Sequence, residues 1–335
     1  VVPGDGKDFC PLGKSGSVLM REEIFRLPNN FLQKLKKLYP ERFEEIVSTF
    51  LSRKQQSFRI NYLKTDLVSL RELLRSRHVK FEELNYPKGA FLLKSEMRQL
   101  QETDIYTNGL VYVQNVSSML PPIILDPKDG EKILDLCGAP GAKTTQLFSL
   151  CPKIELQAIE KNRVRFYKLL TNITQQGMGN DIKLHLIDGI WVRKKFPEYF
   201  NKILVDAPCS TEGRFLVEDH KTFKYWKDQK VKEMTSTQKK LMHSAFFALQ
   251  EGGELVYSTC TISPEENEGI VTWFLDKFHD KIELMPIEIP LENAEKGFKR
   301  WDDTRFDPQI ELTRRILPND YMEAFFIAKF KKIAC

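Results

Sequence analysis

After Asp129 the chain settles into a rhythm that leaves few folds open to it. Short apolar runs of strand length occupy Ile133–Cys137, Ile154–Glu160, Ile182–Asp188, Lys202–Ala207 and Glu254–Thr259. Helical spacing fills the gaps, up to Leu150, up to the Gly177 stop signal, and over Gln229–Leu249 and Pro264–Phe278, before a closing strand at Ala324–Phe330. Strands alternating with helices predict an α/β, doubly wound and largely parallel sheet whose site lies at the carboxyl ends of the strands.

The front of the chain reads differently. Phe31, Leu35, Leu38, Phe43, Ile46 and Phe50 recur at helical spacing, broken at Pro40. Ser57–Leu63 alternates like a half-buried strand, and Leu67–Arg77 reads as a helix. The expected organisation is a loose tail over 1–20, a small α+β domain over 21–104 and a larger domain over 105–335. A start without Met suggests a trimmed end, with Met20 as the natural first residue. Charge follows the same division. The net charge is +5, yet Arg21 to Leu100 holds 17 Lys+Arg against 10 Asp+Glu, so the basic excess sits in the front unit. A basic front on a near-neutral body fits a nucleic-acid grip, and solvated helix faces fit it as well.

Composition removes several classes. With 335 residues, 41% hydrophobic and 29% charged, the chain can bury a core and is not disordered, collagen-like or a disulfide scaffold. No apolar run reaches the roughly 18–20 residues of a membrane span, and the first residues have no apolar signal core. Six cysteines without a Cys-x-x-Cys pair predict neither zinc nor any other metal, and a reducing, cytoplasmic setting in which thiols stay free.

Four motifs carry chemistry. The first is the turn Leu134–Thr145, "LDLCGAPGAKTT", where small residues after a strand let a ligand approach the backbone and the next helix offers its N–H groups. A phosphate loop needs Gly directly before Lys143 and again five positions earlier; Ala142 and Cys137 stand there, so ATP is demoted. A purely structural turn is the plain alternative. The second is Glu160, an acid at the next strand end at about the distance where ribose hydroxyls are held, with Asp188 in the equivalent place one strand further. The third and fourth, "ILVDAPCSTEG" and "GGELVYSTCTISPEENE", deliver Asp206 with Cys209, and Ser258 with Cys260, to the same edge. A lone Cys is usually a small buried hydrophobe. Two at strand ends with polar neighbours favour reactivity.

With these residues the sequence resembles the Sun/nucleolar-protein family of S-adenosylmethionine-dependent RNA (cytosine-5)-methyltransferases, over roughly Leu27 to Lys332. "FRINYLK", "YVQNVSSMLPP", "LDLCGAPGAKT", "VDAPCS", "YSTCTISPEENE" and "RRILP…AFFIAKF" carry the likeness. Gly138 and Ala142 depart from the family's Ala-Ala-Pro-Gly-Gly-Lys turn, and Ala324 replaces the Gly of its Gly-Phe-Phe. The resemblance implies a Rossmann-like class I methyltransferase core and a covalent mechanism. Cys260 is then the nucleophile at carbon 6 of cytosine, Cys209 helps release the product, and Asp206 holds the base near nitrogen 3. Lys143 is expected to point into the pocket and lower a thiol pKa. The cofactor is expected against Cys137, Gly138, Ala139, Pro140, Gly141 and Lys143, with Glu160, Arg165, Asp188 and Asp206 around it and Arg163 favoured as the motif arginine. Arg59, Asn61, Gln114, Asn115 and Ser117 are read as RNA-facing. Lys221, Lys224, Lys227 and Lys230 are read as phosphate contacts.

The resemblance implies RNA as partner, a monomer, no membrane and a flipped or single-stranded target base. DNA cytosine methyltransferases lack the Thr-Cys counterpart present here, and adenine N-methylating enzymes need a stacking aromatic that "DAPCS" does not offer. A non-catalytic RNA-binding or assembly protein keeping the fold is the reading from another class. Between substrates, ribosomal RNA is preferred to transfer RNA by the look of the front domain.

Overall fold

A computed structural model describes residues 24–333; the expected tail, Met20, Cys10 and Cys335 lie outside the described residues. Two sheets divide the chain. The smaller is antiparallel and takes its strands β1 (Ser57–Ile60), β2 (Phe81–Glu83), β3 (Ala90–Leu93) and β4 (Val111–Val113) in the order β2-β3-β1-β4. Because β4 pairs with β1, this unit runs past the division expected after Asp104. The strand β1 is also not half-buried. All four of its residues are covered, since Phe58 and Ile60 face an apolar core with Leu70 and Leu74 while Arg59 reaches across to the larger unit.

The larger sheet holds the parallel strands β5 (Lys132–Asp135), β6 (Glu155–Glu160), β7 (Ile182–Leu186), β8 (Phe200–Asp206) and β9 (Leu249–Thr259), ordered β7-β6-β5-β8-β9. It is continued by an antiparallel flank: β10 (Ile282–Met285), β11 (Ala294–Lys296), β14 (Arg314–Ile316) and β15 (Phe325–Lys332), with β15 between β9 on one side and β10 and β14 on the other. A separate ribbon joins β12 (Arg300–Trp301) to β13 (Thr304–Arg305). The strand order reverses between β5 and β8, so a crevice opens at their carboxyl ends, where the two chemical turns emerge. This is a doubly wound, Rossmann-like fold.

Both faces are covered. The helices 116–125, 142–150 and 163–175 bury Leu120, Leu147, Leu169 and Ile173 on one face; 228–248 and 268–277 bury Met242, Phe246 and Phe274 on the other. Phe246 and Phe278 stack at 3.7 Å between centroids, a pairing worth about 0.5–1.5 kcal/mol beyond its area. The helices Asn29–Leu38 and Phe43–Ser48 break at Pro40 as the spacing predicts. They pack on the larger unit, where Phe31 meets Phe215 and Trp226, and not on the small sheet. No helix among the described residues is long and apolar enough to cross a membrane.

Candidate active site

Two loops bring the sulfurs together. The strand β8 ends at Asp206 and β9 at Thr259, paired in parallel with Asp206 opposite Ser258, so the segments that follow leave the sheet side by side. Cys209 Sγ and Cys260 Sγ stand 3.4 Å apart, Cys209 buried and Cys260 partly open. The hydrogen bond with Cys260 first, and burial second, push the Cys209 thiol well above the usual range, so it keeps its proton and is the natural donor to Cys260.

Behind the sulfurs lies a buried carboxyl network that the sequence reading did not single out. Glu212 accepts from Trp226 Nε1 at 3.0 Å, Ser263 Oγ at 2.7 Å and Thr261 Oγ1 at 2.9 Å. Glu266 accepts from the Ser210 N–H at 2.9 Å and from Gln238 Nε2 at 2.8 Å, and it also bonds the Ser210 hydroxyl. Ser210 follows one cysteine and Thr261 the other, so the two acids lock both loops to one frame. This is why the helix starts at Glu268 and not at Pro264: the residues between form the turn that makes these bonds. Burial first, and the Glu212 charge second, raise the Glu266 pKa to about 8. The unfolded carboxyl ionises from about pH 4.5. The native state therefore binds the extra proton between those values, and stability falls as pH rises through that window. Glu266→Gln is expected to flatten this decline, read as unfolding midpoints at pH 5, 6.5 and 8; a wild-type slope in the variant contradicts it.

Beside the sulfurs, Asp206 accepts from Lys143 Nζ at 2.7 Å and from Ser258 Oγ at 2.8 Å, and Lys143 also donates to Ser118 Oγ at 2.8 Å. The Lys143 charge is thus committed to Asp206. The expected lowering of a thiol pKa by Lys143 is not what the structure shows. A cation that sequence reasoning missed, Arg214, pairs with Glu323 at 3.4 Å and feels the field of both sulfurs. Its pKa is raised by Glu323 first and, after the opposing effect of burial, by Cys260, Cys209 and Asp206. Only its position four residues after Asp-Ala-Pro-Cys-Ser hinted at it.

The turn expected to hold the cofactor follows β5. Gly141 sits at φ +112° as the residue before the helix Ala142–Leu150, a conformation that demands glycine. A Cβ on Gly138 would lie 3.0 Å from Thr144 Oγ1 and 3.1 Å from Ala158 Cβ, which accounts for glycine where the resembled family has alanine. Likewise Ala324 is backed by Gly213, whose absent Cβ would strike the Ala324 carbonyl. Beneath the turn lies a second missed residue, Asp135. One of its oxygens takes the Thr144 hydroxyl at 2.6 Å, while Oδ1 is buried with no protein partner. Burial pushes its pKa up to about 6. An orphaned acid oxygen beneath a glycine cradle suits a ligand with a cationic amino-acid end, and so fits S-adenosylmethionine.

Glu160 is buried at the end of β6 and accepts from the Asn162 N–H at 2.7 Å. Arg165, not Arg163, joins it to the turn, donating to the Ala139 carbonyl at 2.6 Å and lying 3.5 Å from Glu160. Arg163 lies over the Tyr167 ring instead. Asp188 falls beyond the end of β7 and caps a short turn through the Ile190 N–H. Cys137 is partly buried, its thiol pushed up by burial, and Pro140 faces outward.

The residues read as RNA-facing divide. Lys221, Lys224 and Lys227 are exposed, Lys224 over the open Tyr225 ring, and Lys230 is half-buried. Arg59, Asn61 and Gln114 are buried and hydrogen-bonded inside the protein, so they do not face RNA. Asn115 caps the helix Val116–Leu125 and Ser117 donates to the Glu323 carbonyl, so both serve the fold.

Residues 122–331 match the family described as 16S rRNA methyltransferase RsmB/F. The chain belongs to this family. Membership makes it an S-adenosylmethionine-dependent RNA (cytosine-5) methyltransferase. Residues 27–116 match the N-terminal domain of 16S rRNA methyltransferase RsmF. The tRNA (cytosine(49)-C(5))-methyltransferase of Pyrococcus abyssi is 34% identical, over 93% of this chain and 98% of that protein. The ribosomal RNA small subunit methyltransferase F of Aliivibrio fischeri is 33% identical over 93% of this chain, which spans 65% of that protein's length. A methyltransferase homolog protein from Pyrococcus horikoshii superposes with a TM-score of 0.81 at 30% identity, covering 95% of this chain and 100% of that one. NSun6 from the same organism, at 21% identity and TM-score 0.78 over 92% and 99%, shares the fold.

Proposed function

We propose that the chain methylates carbon 5 of a cytosine in structured RNA through a covalent bond from Cys260 to carbon 6. The observation that carries this is the sulfur pair, 3.4 Å apart beside Asp206 at the switch of the sheet. Carbon 5 is a poor nucleophile until a thiolate adds at carbon 6 and makes it enamine-like. Asp206, oriented by Lys143 and Ser258, faces the base near nitrogen 3, where a proton stabilises the charge that arrives as sulfur adds. Arg214, paired with Glu323 at 3.4 Å, places a positive charge in the field of both sulfurs. S-adenosylmethionine, when bound, supplies an electrophilic methyl group. Asp135, Glu160 and the turn Cys137–Gly141 are the residues to hold it, with Asp188 toward the adenine.

Release then requires the carbon 5 proton to leave and the Cys260–carbon 6 bond to break. Cys209 suits this step. Once Cys260 is bonded to carbon, the hydrogen bond that most raised the Cys209 pKa is gone. Cys209 gives its proton to solvent, takes the carbon 5 proton as a thiolate, and Cys260 leaves carbon 6 with the electron pair of that bond.

For the target, ribosomal RNA is the first reading, because both matched family descriptions name it. A relative 34% identical is named for transfer RNA, which makes that substrate the second reading. The test incubates the protein with labelled S-adenosylmethionine and, separately, unmodified transfer RNA and small-subunit ribosomal RNA. Label in 5-methylcytosine of ribosomal RNA is the expected result; label confined to transfer RNA reverses the order, and none in either overturns the proposal.

A further inference from the structure

Arg59 is 4% exposed, and none of the described carboxylates pairs with it. All its partners are neutral: Nε donates to Gln114 Oε1 at 2.7 Å, Nη2 to Thr145 Oγ1 at 2.8 Å and to the Ala142 carbonyl at 3.0 Å, and the Tyr112 ring lies 5.1 Å away. A buried cation without an acid is expensive, so its retention asks what the geometry achieves.

An arginine can only donate, so Arg59 fixes which end of the Gln114 amide faces it. The Gln114 nitrogen is thereby turned toward the Ser118 carbonyl and Gln146 Oε1, both at 3.0 Å, and toward Ser118 Oγ at 3.4 Å. Ser118 Oγ in turn receives Lys143 Nζ at 2.8 Å, and Lys143 holds Asp206 at 2.7 Å. One unbroken line of hydrogen bonds therefore runs from the small sheet to the carboxylate beside the two sulfurs. A flipped Gln114 amide would set oxygen against oxygen at both the Ser118 carbonyl and Gln146.

We propose that Arg59, Gln114 and Ser118 are positioning residues for Lys143 and, through it, for Asp206, so that the front unit governs turnover and not only the hold on RNA. This rests on the reading of Asp206 as the residue that faces the base. The same arginine steadies the first turn of the cofactor helix through Ala142 and Thr145.

Two variants test the line without breaking the fold. Gln114→Glu keeps shape and gives Arg59 a countercharge, yet removes the donor to Ser118 and Gln146; Ser118→Ala removes one partner of Lys143. Each is expected to lower kcat about tenfold with both substrates saturating, as misplacement of a reacting group does, while KM for RNA stays within about twofold. The unfolding midpoint stays near wild type in Ser118→Ala and falls modestly in Gln114→Glu, which sets oxygen against the Ser118 carbonyl and Gln146. Ser118→Thr is expected to restore turnover. Calorimetry with S-adenosylhomocysteine supplies a readout free of activity: Arg59→Gln is expected to bind it several-fold more weakly. Unchanged kcat in both line variants, a raised RNA KM at unchanged kcat, or unaltered binding in Arg59→Gln overturns the proposal. Cys260→Ala in the same assay separates the two failures, since turnover retained there sinks the reading of the site itself.

Discussion

Cys260→Ala is expected to lose methyl transfer by at least about 10³-fold while still binding S-adenosylmethionine. The size follows from the chemistry. Without a sulfur at carbon 6 the ring keeps its conjugation and carbon 5 cannot act as an enamine, so no other group in the crevice recovers the step. Cys209 is the nearest substitute, yet it is buried, and burial still raises its thiol pKa after the Cys260 hydrogen bond is removed, so it is a poor attacking group. Binding is preserved because the residues proposed to hold the cofactor belong to β5, β6, the turn between β5 and its helix and the segment after β7, and Cys260 follows β9. Turnover under saturating conditions, with calorimetry alongside, checks both halves. Cys260→Ser is a sharper form: the side chain keeps its size, but an alcohol is far less acidic than a thiol and is expected to be nearly as inactive. Activity within tenfold of wild type in either variant removes Cys260 from the nucleophile's place.

What the sequence made legible was the part governed by local pattern. Five parallel strands, the Gly/Pro turn and the two cysteine loops each announce themselves within a dozen residues, and their edge follows from the alternation of strand and helix. Contacts between distant segments were not legible. "FRIN" reads as part of a half-buried strand with Arg59 turned outward, because an Arg beside a strand is usually solvated; nothing local shows that Ala142 and Thr145 close over Arg59. The helices over 29–48 looked like part of a front domain, but their apolar faces fit Phe215 and Trp226, whose place depends on the loop after Cys209. Lys143 was assigned to a thiol for want of knowing that Asp206, 63 residues on, lies nearer. Glu212 and Glu266 carry no local mark in the sequence, since burial of a carboxyl is invisible until its partners are assembled.

Cys209→Ala is expected to accumulate a protein–RNA adduct that resists denaturing electrophoresis, with turnover reduced by about 10²-fold or more. The argument turns on what is removed. Attack needs the Cys260 thiolate, Asp206 and Arg214, all of which survive the substitution, so the bond to carbon 6 still forms and the methyl group is still accepted. Departure needs a proton taken from carbon 5, and the group placed 3.4 Å from the departing sulfur is gone. The reaction then stops one step later than in Cys260→Ala, and the two variants are told apart on one gel. The double variant is expected to show no adduct, because the second block is never reached. Losing a small buried thiol next to the Glu212–Glu266 frame costs little packing, so unfolding midpoints close to wild type are expected. Rapid release with no adduct in Cys209→Ala would move the proton-removing role to another group. Adduct in the Cys260→Ala single variant would exchange the roles of the two sulfurs.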